Sequence, residues 1–199
     1  MNPAPTRDSS IFEPGCVPIF DAPPTIESNW YLLDFNIQQQ QKTNWCWAAV
    51  AASVALFYRS SSAVTQCSIA NGQLRRHDCC ESNGDADDPC NVYGYLMSSL
   101  FRVGHFEKWT ARQPASSDQI HEEINQRRPL CARIVWVGGG AHLVTIKGYA
   151  DKPVEHDKLT VDGLAIADPW WGLSDIDAED FPRRYSNCGT CTDNYYTKA

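Results

Sequence analysis

Between Asn44 and Arg59 the chain reads as a helix with no polar face. Ala48, Ala49, Ala51, Ala52 and Ala55 are strong helix formers, and Val50, Val54, Leu56 and Phe57 add apolar groups around it. A helix apolar nearly all round has to be central and buried, so the rest of the chain must fold about it. Its small alanines let neighbouring elements come close. Asn44 or Thr43 is expected to cap the first amides. Cys46 stands at the amino end of this helix, where backbone amides lack partners and the helix dipole is positive. Both favour a thiolate. A buried structural cysteine is the commoner use of such a position, so neighbouring features must decide between packing and nucleophile.

The elements around this helix suggest an order. Residues 1–28 carry six prolines and no periodicity, which fits an extended N-terminal arm or a removable pro-segment. Tyr31, Leu33, Phe35 and Ile37 alternate with neighbours in a strand-like pattern. Residues 60–91 read as a polar, cysteine-rich insertion. A second helix is expected over Tyr93 to Val103, stopped by Gly104, and a third from Ser117 to Arg128 before Pro129. Cys131 to Val137 and His142 to Tyr149 read as a hairpin turned by Gly138, Gly139 and Gly140, and Leu164 to Asp168 as a further strand. Helices first and strands later give an α+β fold: a helical N-terminal half packed on a C-terminal antiparallel β-sheet.

At 199 residues and 43% apolar, with seven tryptophans, the chain fits one packed domain over residues 29–199. A formal net charge of -7, with basic residues at most paired, argues against a nucleic-acid surface and points weakly toward basic substrates. No apolar run reaches the roughly 18 residues of a membrane helix. The start, Met1 to Ser10, lacks the apolar centre of a signal peptide. Nine cysteines favour an oxidising compartment, hence a secreted or extracytoplasmic protein, and eight paired with one free catalytic thiol is the simplest arithmetic.

Three further positions bear on Cys46. Gln40, six residues upstream, could with the Cys46 amide hold a developing oxyanion, although Gln39 or Gln41 in the same run could serve. His142 opens a strand after three glycines, which would let a nucleophile helix approach closely. Asp168 closes an apolar strand, where a carboxylate can orient an imidazole. Trp170 and Trp171 follow it, and an indole over the His–Asp contact would exclude water.

Together, Asn44-Trp45-Cys46-Trp47-Ala48-Ala49, Gly140-Ala141-His142 and Asp168-Pro169-Trp170 resemble the papain-like cysteine peptidases, and more closely the compact bacterial branch that includes the AvrRpt2-like effector peptidases. The likeness runs from about residue 30 to the end. It implies a papain-like fold, peptide hydrolysis through a thioester, and a Cys46, His142, Asp168 triad with Gln40 at the oxyanion. Trp47, Gly140, Ala141 and Trp170 would contact substrate. It also implies a monomer acting on a protein or peptide, with no cofactor, metal, nucleic acid or membrane. His142 follows Cys46 by 96 residues, closer than in lysosomal relatives, and only Cys46-Trp47 remains of their nucleophile motif.

Three rival readings share these residues. Acyltransferases and deamidases use the same triad and differ in what attacks the acyl-enzyme. A disulfide-stapled binding module would need no free Cys46. Zinc could be held by Cys188 and Cys191 or by the Cys67, His77, Cys79, Cys80 and Cys90 cluster, although adjacent cysteines chelate poorly.

Overall fold

The computed structural model describes residues 29–82, 87–151 and 163–199. The expected N-terminal arm, and residues 83–86 of the cysteine-rich insertion, lie outside them.

Helix α1, Cys46–Tyr58, is the centre of the molecule: every residue from Cys46 to Ala55 is buried. Its one polar side chain in that run, Ser53, is satisfied, donating to Ala49 O at 2.7 Å and accepting from Gln38 N at 2.9 Å. The expected cap is absent. Trp45 takes the N-cap position without a side-chain bond. Asn44 instead donates two hydrogen bonds to Asn91, from its amide to Oδ1 and from Nδ2 to the carbonyl oxygen, and Asn91 Nδ2 donates to Thr43 Oγ1 at 2.8 Å. Both cap candidates therefore anchor the loop outward and leave the helix end open.

The insertion is more ordered than its polarity suggests. It contains helix α2, Gln66–Leu74, begun by a capping box between Thr65 and Ser68. Two disulfides staple it, Cys67–Cys80 and Cys79–Cys90. Those cysteines are therefore not zinc ligands. Helix α3, Leu96–Val103, starts three residues later than expected and ends at Gly104 with φ +86°. After strand β2, Phe106–Ala111, helix α4, Ser117–Asn125, buries Ile120 and Ile124.

The second half is an antiparallel sheet. Its strands are β3 (Leu130–Trp136), β4 (Ala141–Asp151), β5 (Gly163–Asp168), β6 (Gly172–Asp177) and β7 (Gly189–Thr197), the last two flanking a short helix α5, Phe181–Arg184. The order is β2-β7-β3-β4-β5-β6, and an N-terminal strand β1, Asn29–Leu32, pairs with the far end of β4. Beyond β1 the alternation persists without pairing as a strand: Leu33 and Phe35 stay buried. The three glycines between β3 and β4 have φ of +91°, +109° and +82°. They are needed for the turn itself, not for helix approach, since a Cβ on Gly139 would meet nothing within 4 Å.

The eight-plus-one cysteine arithmetic fails. Cys131 and Cys191 are free and buried, as is Cys46. Cys191 lies opposite Ile134 on β3, three residues from Cys131. At about 3.3 Å per residue that offset exceeds the Cα span of a disulfide. Burial pushes both thiols up to about 12, so they serve as small core side chains. Cys188 is disulfide-bonded, which separates the two sulfurs of the Cys188-Cys191 pair. Among the described residues no helix is long and apolar enough to cross a membrane.

Candidate active site

Three elements bring the expected chemistry together. Helix α1 presents Cys46 at its uncapped amino end, β4 presents His142 as its second residue, and β5 presents Asp168 as its last. His142 Nε2 lies 2.8 Å from Asp168 Oδ1, and the ring also interacts electrostatically with the Cys46 side chain. With Nε2 on the carboxylate, Nδ1 is left for the sulfur. His142 is buried, which alone would push its pKa down; the Asp168 charge and hydrogen bond, then the contact with Cys46, raise it from 6.5 to about 10. The imidazolium is thus the favoured form near neutrality.

Asp168 is the most heavily bonded group in the site. Oδ1 accepts from His142 and from the amides of Trp170 at 2.7 Å and Trp171 at 3.1 Å, while Oδ2 accepts from Tyr185 Oη at 2.7 Å. Burial opposes its charge. The His142 charge and hydrogen bond, the Tyr185 hydroxyl and the Trp170 amide overcome that and hold its pKa below the ordinary carboxylate value. Burial, and then the same carboxylate, keep the Tyr185 hydroxyl protonated well above its usual range.

Two indoles flank the imidazole. Trp136 stacks on His142 with centroids 6.1 Å apart, and Trp171 meets it edge-on at 5.7 Å. Trp170 supplies its amide to Asp168.

Cys46 opens into a cleft of about 450 Å³ whose lining includes Trp47, Gly140 and Ala141. Trp170 does not line this cleft. Tyr93, Gly94 and Tyr95 also line it, beside Trp47, and the floor comes from the sheet residues Arg133, Val135 and Leu143. Gly94 is there for contact: a Cβ on it would sit 2.4 Å from the Trp47 indole.

Gln40 is buried beside the site. Its amide nitrogen donates to Pro169 O at 2.9 Å, tying it to the residue after Asp168. Its side-chain Nε2 donates to Lys42 O at 2.9 Å and Thr43 O at 2.7 Å. Its Oε1 has no hydrogen-bond partner among the described residues.

The stapled segment braces this loop. Trp45 Nε1 donates to Cys90 O at 2.6 Å and Trp47 Nε1 to Val92 O at 3.1 Å. Lys42 Nζ and Asp88 Oδ2 form a buried pair at 2.8 Å. Tyr185, Trp136, Arg133 and the Tyr93–Tyr95 wall were not singled out by spacing or motif. They lie far along the chain from Cys46 and carry no periodic signal that points to it.

The family model of the papain-like cysteine protease AvrRpt2 matches residues 27–181. A crystal structure of the Pseudomonas avirulence protein AvrPphB is similar with a TM-score of 0.39 and 11% identity, over 83% of this chain and 98% of that one. No curated protein matches the chain in sequence.

Proposed function

This chain belongs to the AvrRpt2 family of papain-like cysteine proteases, and from that premise we propose that it is an endopeptidase working through Cys46, His142 and Asp168. It is a papain-like cysteine peptidase of α+β architecture and acts on protein substrates. The supporting observation is that His142 joins Asp168 at 2.8 Å through Nε2 while its charge is also favoured by the neighbouring Cys46 side chain.

The Cys46 sulfur, as thiolate, attacks the scissile carbonyl carbon while His142 holds the proton. The carbonyl π-electrons move to oxygen, where the Cys46 amide at the open helix end donates a hydrogen bond. Gln40 supplies the second donor, which requires Nε2 to release Lys42 O or Thr43 O. Collapse breaks the C–N bond, and His142 gives its proton to the leaving amine. Water then adds to the thioester, its proton passing to His142, and the acid leaves as the sulfur is released. Asp168 keeps the ring oriented throughout and does not itself take the proton.

No metal or organic cofactor enters this scheme, and the enzyme acts as a monomer. Its disulfides favour maturation in an oxidising compartment and export from the cell. A free Cys46 speaks against the stapled binding module.

The test is cleavage of a mixed peptide library read by mass. Wild type is expected to cut at defined bonds and Cys46→Ala to cut none while retaining its circular dichroism and melting profile. Turnover by that variant at the wild-type rate would remove Cys46 from the chemistry.

A further inference from the structure

The cleft beside Cys46 is walled mostly by aromatic and aliphatic groups, yet its floor carries one charged side chain, Arg133. Its position is fixed by β3, where Arg133 faces Leu143 on β4 and Asp193 on β7. The guanidinium is held from one side. Nη1 donates to Thr192 Oγ1 at 3.1 Å and to Asp193 Oδ2 at 3.3 Å. Nε and Nη2 make no hydrogen bond among the described residues, and 40% of the side chain is exposed.

Asp193 does not saturate this cation. The contact is single and long, and the same oxygen also accepts from the Thr192 hydroxyl. An arginine recognises carboxylates best through two parallel N–H groups, and here such a pair remains available next to apolar walls that strengthen any ion pair made against them. The overall charge of -7 does not decide the matter, because charges beyond about 8 Å are screened at physiological salt.

We propose that Arg133 selects substrates by binding a carboxylate, so that the peptidase prefers a peptide carrying an acidic group at the position seated on the cleft floor. This rests on the peptidase reading of the cleft. The carboxylate comes from an Asp or Glu side chain or from the peptide's own C-terminus, and both offer the same pair of oxygens.

The experiment measures kcat/KM for internally quenched peptides in matched pairs, Glu against Gln at each position near the scissile bond, and free acid against amide at the C-terminus. Wild type is expected to favour one carboxylate-bearing member at least tenfold. Arg133→Gln should bring that pair within about twofold, the larger loss falling on the carboxylate-bearing member. Arg133→Lys, which keeps the charge and loses the fork, should retain part of the preference and guards against a folding defect in the first variant. Selection for Glu identifies a side-chain carboxylate, and selection for the free acid identifies the C-terminus. Cleavage with no carboxylate preference, or a preference unchanged in both variants, overturns the inference and leaves the peptidase intact. Absence of any Cys46-dependent cleavage overturns both.

Discussion

The Tyr185 hydroxyl donates to Asp168 Oδ2 at 2.7 Å, on the oxygen that His142 does not use. The carboxylate is therefore clamped from both sides, and the ring it orients cannot rotate without breaking that arrangement. Removing the hydroxyl leaves a buried anionic oxygen short of a donor, which costs about 1–3 kcal/mol. Tyr185→Phe is expected to lower stability by that amount and kcat/KM by on the order of tenfold. Because Asp168 loses a donor, its pKa rises, so the acid limb of the kcat/KM profile should move to higher pH. A variant with lowered stability but an unmoved acid limb would reduce Tyr185 to a packing residue.

Stability should depend on pH through the same pair. The His142 pKa is raised in the fold from 6.5 to about 10, so its contribution is complete below about 6.5 and is lost as pH climbs through 10. Asp168 is lowered, so its contribution is present above its ordinary value and fades as pH falls through the folded one. The urea midpoint of wild type should therefore drop between pH 6.5 and 10, and that of His142→Ala should drop less. Parallel curves over that window would show that the pair is uncoupled from folding.

Gln40 can be separated from its structural contacts. If it donates to the oxyanion, Gln40→Ala should reduce kcat by about 10²–10³-fold with little change in KM. Gln40→Glu keeps the shape but replaces the donor with an acceptor and should be as slow. A loss below about threefold in both, measured by steady-state kinetics, would assign Nε2 to the Lys42 and Thr43 carbonyls alone.

The Cys79–Cys90 bridge should matter to activity as well as stability. Asp88, Cys90, Asn91 and Val92 hold Lys42, Trp45, Asn44 and Trp47 in turn. A paired Cys79→Ser, Cys90→Ser variant is expected to lose about 3 kcal/mol in urea unfolding. Its kcat should fall too, because the loop that carries Cys46 is no longer braced. Activity titrated against a phosphine reductant should rise as any Cys46 oxidised in handling returns to the thiol and then fall as bridges open. A monotonic rise would mean that the bridge leaves the site untouched.

Local signals were strong where one residue type had one physical meaning. The apolar run from Ala48 to Ala55 could only be buried, and Gly104 could only end a helix, so α1 and the end of α3 followed. Other elements were hidden by polar residues whose partners are distant. β7 holds Asp193 and Asn194 in buried positions, which reads as a loop until Arg133 and the Ala115 amide are seen to pair with them. β2 and β6 expose most of one face and carry charge, so no alternation marks them. Helix α2 lay inside a stretch whose cysteines and polar residues suggested only a loop.

The chain alone thus determined the buried helix, the cysteine at its amino end and the strands bearing His142 and Asp168, because hydrophobic periodicity and glycine conformations act over a few residues. Only the tertiary structure decided which cysteines bridge, which indoles cover the imidazole, that Tyr185 completes the carboxylate and that Arg133 floors the cleft. Those outcomes depend on strand register between segments tens of residues apart, and register is set by the packing of the whole sheet.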